Sequence, residues 1–147
     1  MTVHFEDLAP GDVFEYGTRE VTEAEVVEFA ERYDPQWFHT DPERARDSVH
    51  GGLIASGWHT AAMAMSLLVE GHYRDAATLG AVGVDELRWP APTRPGDELS
   101  VRMEITETRP SESRDDRGLV RSDVTVADQS GETKATLSPL VLYARRE

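Results

Sequence analysis

The stretch HGGLIASGWHTAAMAMSLLVEGHY, residues 50–73, sets the architecture that this sequence predicts. It carries one acidic residue, Glu70, and its apolar residues are spread around the whole circumference of a helix. A helix that is apolar on all sides is normally buried. We therefore predict a long central helix that ends at Gly71 and is enclosed by the rest of the chain. Its expected core residues are Met63, Met65, Leu67 and Leu68.

The residues before this helix predict one strand and two shorter helices. A strand is expected over 13–19, and Thr22 and Glu25 then have the spacing of a capping box that starts a helix. That helix should end near Tyr33, because Pro35 disfavours the helical conformation for the residue before it. A short second helix is expected in DPERARDSV, residues 41–49, with the aspartate as its N-cap and the proline at its first position.

The residues after the central helix predict strands. Residues 99–108 and 120–128 alternate apolar and polar side chains, which is typical of half-buried strands. Four strand-like segments follow one another: 79–92, 97–111, 118–129 and 131–146. One strand, then helices, then about four strands indicates an α+β fold with an antiparallel sheet wrapped around the long central helix. The length suits one domain, residues 1–147.

Composition excludes several classes of protein. The 147 residues include no cysteine, which rules out disulfides, thiol nucleophiles and cysteine-ligated zinc. With a net charge of −13, the chain is an unfavourable partner for nucleic acid. Lys134 is the only lysine, so the acidic, arginine-rich composition reflects either codon bias or adaptation to high salt. The sequence shows no signal peptide and no membrane span, so we expect a soluble, cytoplasmic protein.

The stretch YDPQWFHTD, residues 33–41, carries an acid and an imidazole around a stiff apolar segment. Asp34 and His39 lie five positions apart, with a proline and two aromatic residues between them. Two interpretations are open. The segment is either an ordinary turn that contains two polar residues, or it holds a catalytic pair in a dry pocket.

Residues 29–63 resemble the MaoC-like dehydratases, the (R)-specific enoyl-CoA hydratases of the hotdog fold. That family has a catalytic Asp and a catalytic His with four residues between them, then a His-Gly and a Ser that begins the central helix. Asp34 and His39 match the first pair, and His50, Gly51 and Ser56 match the second set. The segment RWPAPTRPGDEL, residues 88–99, is also similar, and the resemblance extends over about residues 10–142. One departure is DPQWFH, where many hydratases read Asp-x-Asn-Pro-x-His.

The resemblance implies that Asp34 and His39 are catalytic and that no cofactor or metal takes part. Hydration of an α,β-unsaturated thioester needs water activated at Cβ and a proton delivered at Cα, which a carboxylate and an imidazole can do together. Enolate charge on the thioester oxygen needs N–H donors, for which we expect Gly51 and Gly52 at the start of the central helix. Trp37 and Phe38 are expected to exclude water and line an acyl pocket.

Structural roles compete with functional ones at the other polar residues. His50 is expected to be a turn histidine and His59 an interior one. Ser56 is expected to hold Asp34 or to cap the helix, with packing in the core as the alternative. The spacing of the histidines predicts no metal site. Binding of polyanionic coenzyme A to this acidic chain requires local cations, and the expected phosphate ligands are Arg88 and Arg94, with solvated surface arginines as the alternative.

The expected function is hydration of an enoyl-CoA, or dehydration of a 3-hydroxyacyl-CoA, in fatty acid metabolism. The partners are the acyl-CoA thioester and a second copy of the chain, because a homodimer would cover an exposed sheet edge. A hotdog acyl-CoA thioesterase and a non-catalytic acyl-CoA-binding protein are the alternatives. The sequence does not distinguish coenzyme A from an acyl-carrier protein, and it does not set the length of the acyl chain.

Overall fold

The computed structural model describes residues 1–146. Short 3₁₀ turns at Phe5–Asp7 and Tyr73–Asp75 accompany four helices and five strands. The helices are α1 Glu23–Tyr33, α2 Trp37–Thr40, α3 Pro42–Ala45 and α4 Gly57–Gly71. The strands are β1 Val13–Glu20, β2 Thr78–Arg88, β3 Glu98–Pro110, β4 Arg117–Ala127 and β5 Thr133–Ala144.

The five strands form one antiparallel sheet in the order β1-β3-β4-β5-β2. The predicted alternation is present: β4 buries every second residue, and β3 buries Leu99, Val101, Met103 and Ile105. These inward side chains form the core against α4. The α+β hotdog fold, with its sheet around a central helix, is therefore confirmed.

Helix α4 packs on the sheet through Met63, Ala64, Leu67 and Leu68, which are all buried. It ends at Gly71 as predicted, where a Cβ atom would lie 2.2 Å from the ring of Tyr16. The prediction that Met65 belongs to the core is wrong, because its side chain is 43% exposed. Trp58 and Val69, on the same side of the helix, are exposed as well. The helix is apolar on all sides because this second face is apolar too, although Trp58, Met65 and Val69 remain exposed among residues 1–146.

The prediction that the central helix begins near residue 50 is also wrong, since helical structure starts at Gly57. Gly51 has a φ of +71°, a conformation that favours glycine and interrupts a helix. Ile54 and Ala55 direct their N–H groups to carbonyls of other segments, at Phe38 (3.2 Å) and Thr93 (2.8 Å). Tertiary hydrogen bonds therefore replace helical ones in this segment.

Local signals placed the first helices correctly. The N–H of Glu25 donates to Thr22 Oγ1 at 3.2 Å, which caps α1. Helix α1 ends at Tyr33, and Asp34 leaves the helical conformation. Asp41 caps α3 as predicted, and its carboxylate accepts from the N–H of Arg44 at 3.1 Å. The single turn of α2 was not predicted. None of the helices within residues 1–146 has the length and apolar character that a membrane crossing requires.

Candidate active site

The ends of two helices bring Asp34 and His39 together. Asp34 follows the last residue of α1, and His39 lies on the turn of α2. His39 Nε2 is 3.3 Å from Asp34 Oδ2. The side chain of His39 is 6% exposed and that of Asp34 is 19% exposed, so the carboxylate is the member of the pair that solvent reaches.

One hydrogen bond fixes the tautomer of His39. Its Nδ1 lies 2.7 Å from the carbonyl oxygen of Ile54, which can only accept, so Nδ1 carries the proton. In a neutral imidazole Nε2 then has a free lone pair that faces the Asp34 carboxylate. Two acceptors at this distance require a proton between them or a donor that both can bind. A water molecule offers such a donor.

Three neighbours keep Asp34 ionised. Burial opposes its charge, but the amide of Gln36 donates to Oδ1 at 2.7 Å. The hydroxyl of Ser56 and the charge of His39 act in the same direction, and together these groups hold the pKa of Asp34 below its ordinary value. Ser56 is fully buried, and its Oγ makes no hydrogen bond of good geometry within residues 1–146.

The pair opens into a cavity of about 350 Å³. Two segments form most of its wall, one around the start of α4 and the other between β2 and β3. The rings of Trp58 and Trp89 meet edge to face with centroids 5.6 Å apart. The lining residues are Asp34, His39, His50, Ile54, Ala55, Gly57, Trp58, Thr60, Trp89, Pro90, Ala91, Pro92 and Thr93. The cavity therefore combines three titratable side chains, those of Asp34, His39 and His50, with a mainly apolar wall.

The first turn of α4 also borders the cavity. The N–H groups of His59 and Thr60 donate to the carbonyl of Ser56, at 3.0 and 3.1 Å. The N–H groups of Gly57 and Trp58 have no hydrogen-bond acceptor among residues 1–146. Free N–H groups at a helix N-terminus carry partial positive charge, so they can stabilise a developing oxyanion.

The structure places the other predicted residues outside this lining. Gly51 and Gly52 precede α4 in the 50–56 segment, so the start of the helix is at Gly57 instead. Phe38 packs against the ring of His39 at 4.5 Å between centroids, and Trp37 stacks under the guanidinium of Arg44 at 4.6 Å. The aromatic walls are instead the two tryptophans that the sequence did not single out.

The two arginines proposed for phosphate binding differ in their surroundings. Arg94 donates to the carbonyl of His50 at 2.6 Å, which ties the 50–56 segment to the loop before β3. Arg88 is exposed and pairs with Glu86 at 3.3 Å. Arg94 is therefore a structural tether, whereas Arg88 is open to solvent.

The remaining polar residues behave partly as expected. His59 is buried and stacks on Phe29 at 4.6 Å, but its Nδ1 has no partner within residues 1–146. His50 borders the cavity in addition to lying in a turn. Residues 1–146 contain no cluster of three or more side chains able to hold a metal ion. The only sequence signal that could have identified residues 89–93 as part of the cavity wall is the similarity of segment 88–99 to the hydratases.

The chain belongs to the MaoC-like domain family, whose family model matches residues 6–128. A crystal structure of a MaoC-like dehydratase from Rhodospirillum rubrum is 44% identical, with a TM-score of 0.90 and 99% of both chains covered.

Two further relatives extend the comparison. The protein YdeM of Bacillus subtilis strain 168, itself uncharacterized, is 31% identical over 106 residues, which are 71% of this chain and 74% of YdeM. The (R)-hydratase PhaJ1 of Pseudomonas aeruginosa, in its unliganded form, is 23% identical, with a TM-score of 0.74 over 99% of this chain and 88% of its own. At that identity the likeness concerns the fold.

Proposed function

We propose that the protein adds water to an enoyl-CoA, or removes it from a 3-hydroxyacyl-CoA, with Asp34 and His39 as the catalytic pair. The observation that supports this most is their 3.3 Å approach inside a mainly apolar cavity next to free N–H groups of α4. Membership of a dehydratase family favours the same class of reaction, a hydro-lyase.

The geometry suggests the course of hydration. Water binds between Asp34 Oδ2 and His39 Nε2, its oxygen forms a bond to Cβ, and its proton passes to the pair. The π electrons of the double bond move to the thioester oxygen as an enolate, which the N–H groups of Gly57 and Trp58 stabilise. The pair then delivers a proton to Cα, on the same face, and the thioester carbonyl is restored. Both groups hold the same water, so the acid and base roles are not divided between them.

Coenzyme A is the proposed carrier of the acyl group. Its phosphates need cations outside the cavity, because the lining contains none apart from the histidines. Arg88 is adjacent to Trp89 in the sequence and is 72% exposed in its side chain, so it is the better candidate of the two predicted arginines. The guanidinium of Arg94 is engaged with His50.

We also propose a homodimer. Trp58, Met65 and Val69 form an exposed apolar face on α4. Strand β2 is an edge of the sheet and exposes Leu79, Val82 and Val84. A second copy related by a two-fold axis would cover both surfaces and pair the open edge.

Hydration of crotonyl-CoA tests the proposed reaction, read as loss of the absorbance of the enoyl thioester. Wild type should hydrate it and Asp34→Asn should not. Hydrolysis of saturated acyl-CoA that requires Asp34, without hydration, would establish a thioesterase instead. Binding of acyl-CoA with neither activity would establish a binding protein.

A further inference from the structure

Lys134, the only lysine of the chain, lies buried on β5. Its side chain is 4% exposed. Four oxygen atoms surround Nζ: Glu132 Oε1 at 2.8 Å, Pro92 O at 2.9 Å, Asp97 Oδ2 at 3.4 Å and Asp128 Oδ2 at 3.6 Å. Burial favours the neutral amine, but the carboxylates of Glu132 and Asp97 raise the pKa of Lys134 above its ordinary value. The group is therefore an ammonium at neutral pH.

One of these contacts reaches the wall of the proposed active site. We call residues 89–97, which connect β2 to β3, the wall loop. Its first five residues line the cavity, and Pro92, whose carbonyl Lys134 binds, is one of them. The next residue, Thr93, accepts the N–H of Ala55 at 2.8 Å and pairs with Thr60 Oγ1 at 2.9 Å. Lys134 therefore holds the wall loop from the sheet side, and the start of α4 holds it from the cavity side.

A second contact continues the same network at the other end of the loop. Asp97 Oδ2 faces Lys134 and also accepts the N–H of Arg94 at 2.8 Å. Arg94 in turn donates to the carbonyl of His50, which borders the cavity. Contacts thus run without a break from β5 to both sides of the cavity.

We propose that Lys134 is a positioning residue that fixes the wall loop, and through it the cavity in which the thioester binds. A compact ammonium with three donors satisfies a carbonyl and carboxylates from different directions, which a planar guanidinium does not. Loss of the cation would leave Asp97, Asp128 and Glu132 close together without a positive partner, and their repulsion would push the loop outward. The effect on substrate rests on the proposed function, whereas the effect on the loop does not.

Steady-state kinetics of Lys134→Met test the proposed effect of Lys134 on substrate binding. A displaced wall should raise the KM for crotonyl-CoA on the order of tenfold, with a smaller change in kcat, because Asp34 and His39 keep their own contacts. The pH profile of kcat should match that of wild type. Arg102→Met is the control, since it removes a cation that pairs with Glu104 at 3.3 Å on the exposed part of β3. Wild-type KM and kcat in folded Lys134→Met would overturn the proposal.

Amide hydrogen exchange tests the loop without substrate. In Lys134→Met, exchange should quicken at Ala55, whose N–H donates to Thr93, and at Gly96, whose N–H donates to Val21, while β4 stays protected. An equal increase throughout the chain, or no increase, would overturn the proposal. If the methionine variant does not fold, Lys134→Arg keeps the charge but not the compact three-donor geometry, so it should show a smaller increase at the same two amides. If wild type hydrates no enoyl thioester, the proposed function fails while this experiment still decides the role of Lys134.

Discussion

The indole of Trp89 occupies the space that a side chain at Gly57 would need. A Cβ atom on Gly57 would lie 2.4 Å from Cε2 of Trp89, and the indole Nε1 donates to the carbonyl of Gly57 at 2.9 Å. The absence of a side chain lets the aromatic ring lie across the first turn of α4. The same glycine offers one of the two N–H groups near Asp34 and His39, the proposed catalytic pair, that have no acceptor among residues 1–146.

Gly57→Ala should therefore displace Trp89 and disturb the oxyanion donors. We expect the kcat for crotonyl-CoA hydration to fall, but by less than the roughly hundredfold loss that follows removal of a donor, because alanine keeps its N–H group and only its position changes. Stopped-flow kinetics and tryptophan fluorescence would measure the two effects. Gly83→Ala is the matched control, since nothing among residues 1–146 lies within 4 Å of its added methyl group, and light scattering should show that this β2 variant keeps the wild-type mass. Wild-type kinetics in Gly57→Ala would contradict the assignment of this helix end.

Asp34→Asn and His39→Asn should each lower turnover on the order of a hundredfold or more. The asparagine at position 39 can still donate an N–H to the carbonyl of Ile54 and lacks only the Nε2 that faces Asp34. The double variant should be little slower than the slower single variant, because groups that act as a unit are not additive. Circular dichroism should show intact folds. Additive losses would mean that the two residues do not share one water.

His59, a buried histidine that is not proposed to take part in catalysis, offers a comparison with His39. His59 is buried and stacks on Phe29, away from the cavity lining. His59→Ala should lower the melting temperature and leave kcat of the folded enzyme near the wild-type value.

Assembly as a dimer should depend on the exposed face of α4 and on β2. Light scattering should give a mass near twice 16.4 kDa, or a multiple of that dimer. Met65→Lys together with Val82→Lys should shift the protein toward monomers, because two charges would be buried in the interface. Glu31→Lys, on an exposed part of α1, is the control and should leave the mass unchanged. A stable, active wild-type monomer would contradict the proposed assembly.

Acid should destabilise the fold between about pH 4 and pH 2. The guanidinium of Arg146 binds Asp7 at 2.6 and 2.5 Å and lowers the pKa of Asp7 to about 2. Asp34, Asp116 and Asp128 also have lowered pKa values. A carboxyl group whose pKa is lower in the native state than in the unfolded state contributes its full stabilisation at pH values above the unfolded-state pKa. It loses that contribution as the pH falls through the native-state pKa.

Urea unfolding at pH 5, 4, 3 and 2 would measure this loss. Asp7→Asn should flatten the lowest part of the curve, because it removes the carboxyl that titrates near pH 2. A free energy of unfolding that does not change over this interval would contradict the expected linkage.

The response to salt separates the two explanations of the net charge of −13. If the acidic surface is an adaptation to brine, the melting temperature should rise steeply from dilute buffer to molar KCl, where the Debye length is about 3 Å. Differential scanning calorimetry would measure it. A melting temperature that stays constant over this range would assign the composition to codon bias.

Features that depend on neighbouring residues could be read from the sequence. Thr22 caps α1 and Pro35 limits it, because capping and proline sterics act within a few residues. The alternation of apolar and polar residues in β3 and β4 predicted which face of each strand is buried, because successive side chains of a strand point to opposite faces. Asp34 and His39 could be paired in advance only through the resemblance to the hydratases, because their spacing alone left an ordinary turn as the alternative.

Other features depend on segments that are far apart in the chain. The start of α4 is at Gly57 because Phe38 and Thr93 accept the N–H groups that would have extended the helix. The tautomer of His39 depends on the carbonyl of Ile54, and the wall loop depends on Lys134. Such contacts follow from the curvature of the sheet and the register of its strands, and no local propensity encodes the approach of Trp89 to Gly57 or of Lys134 to Pro92.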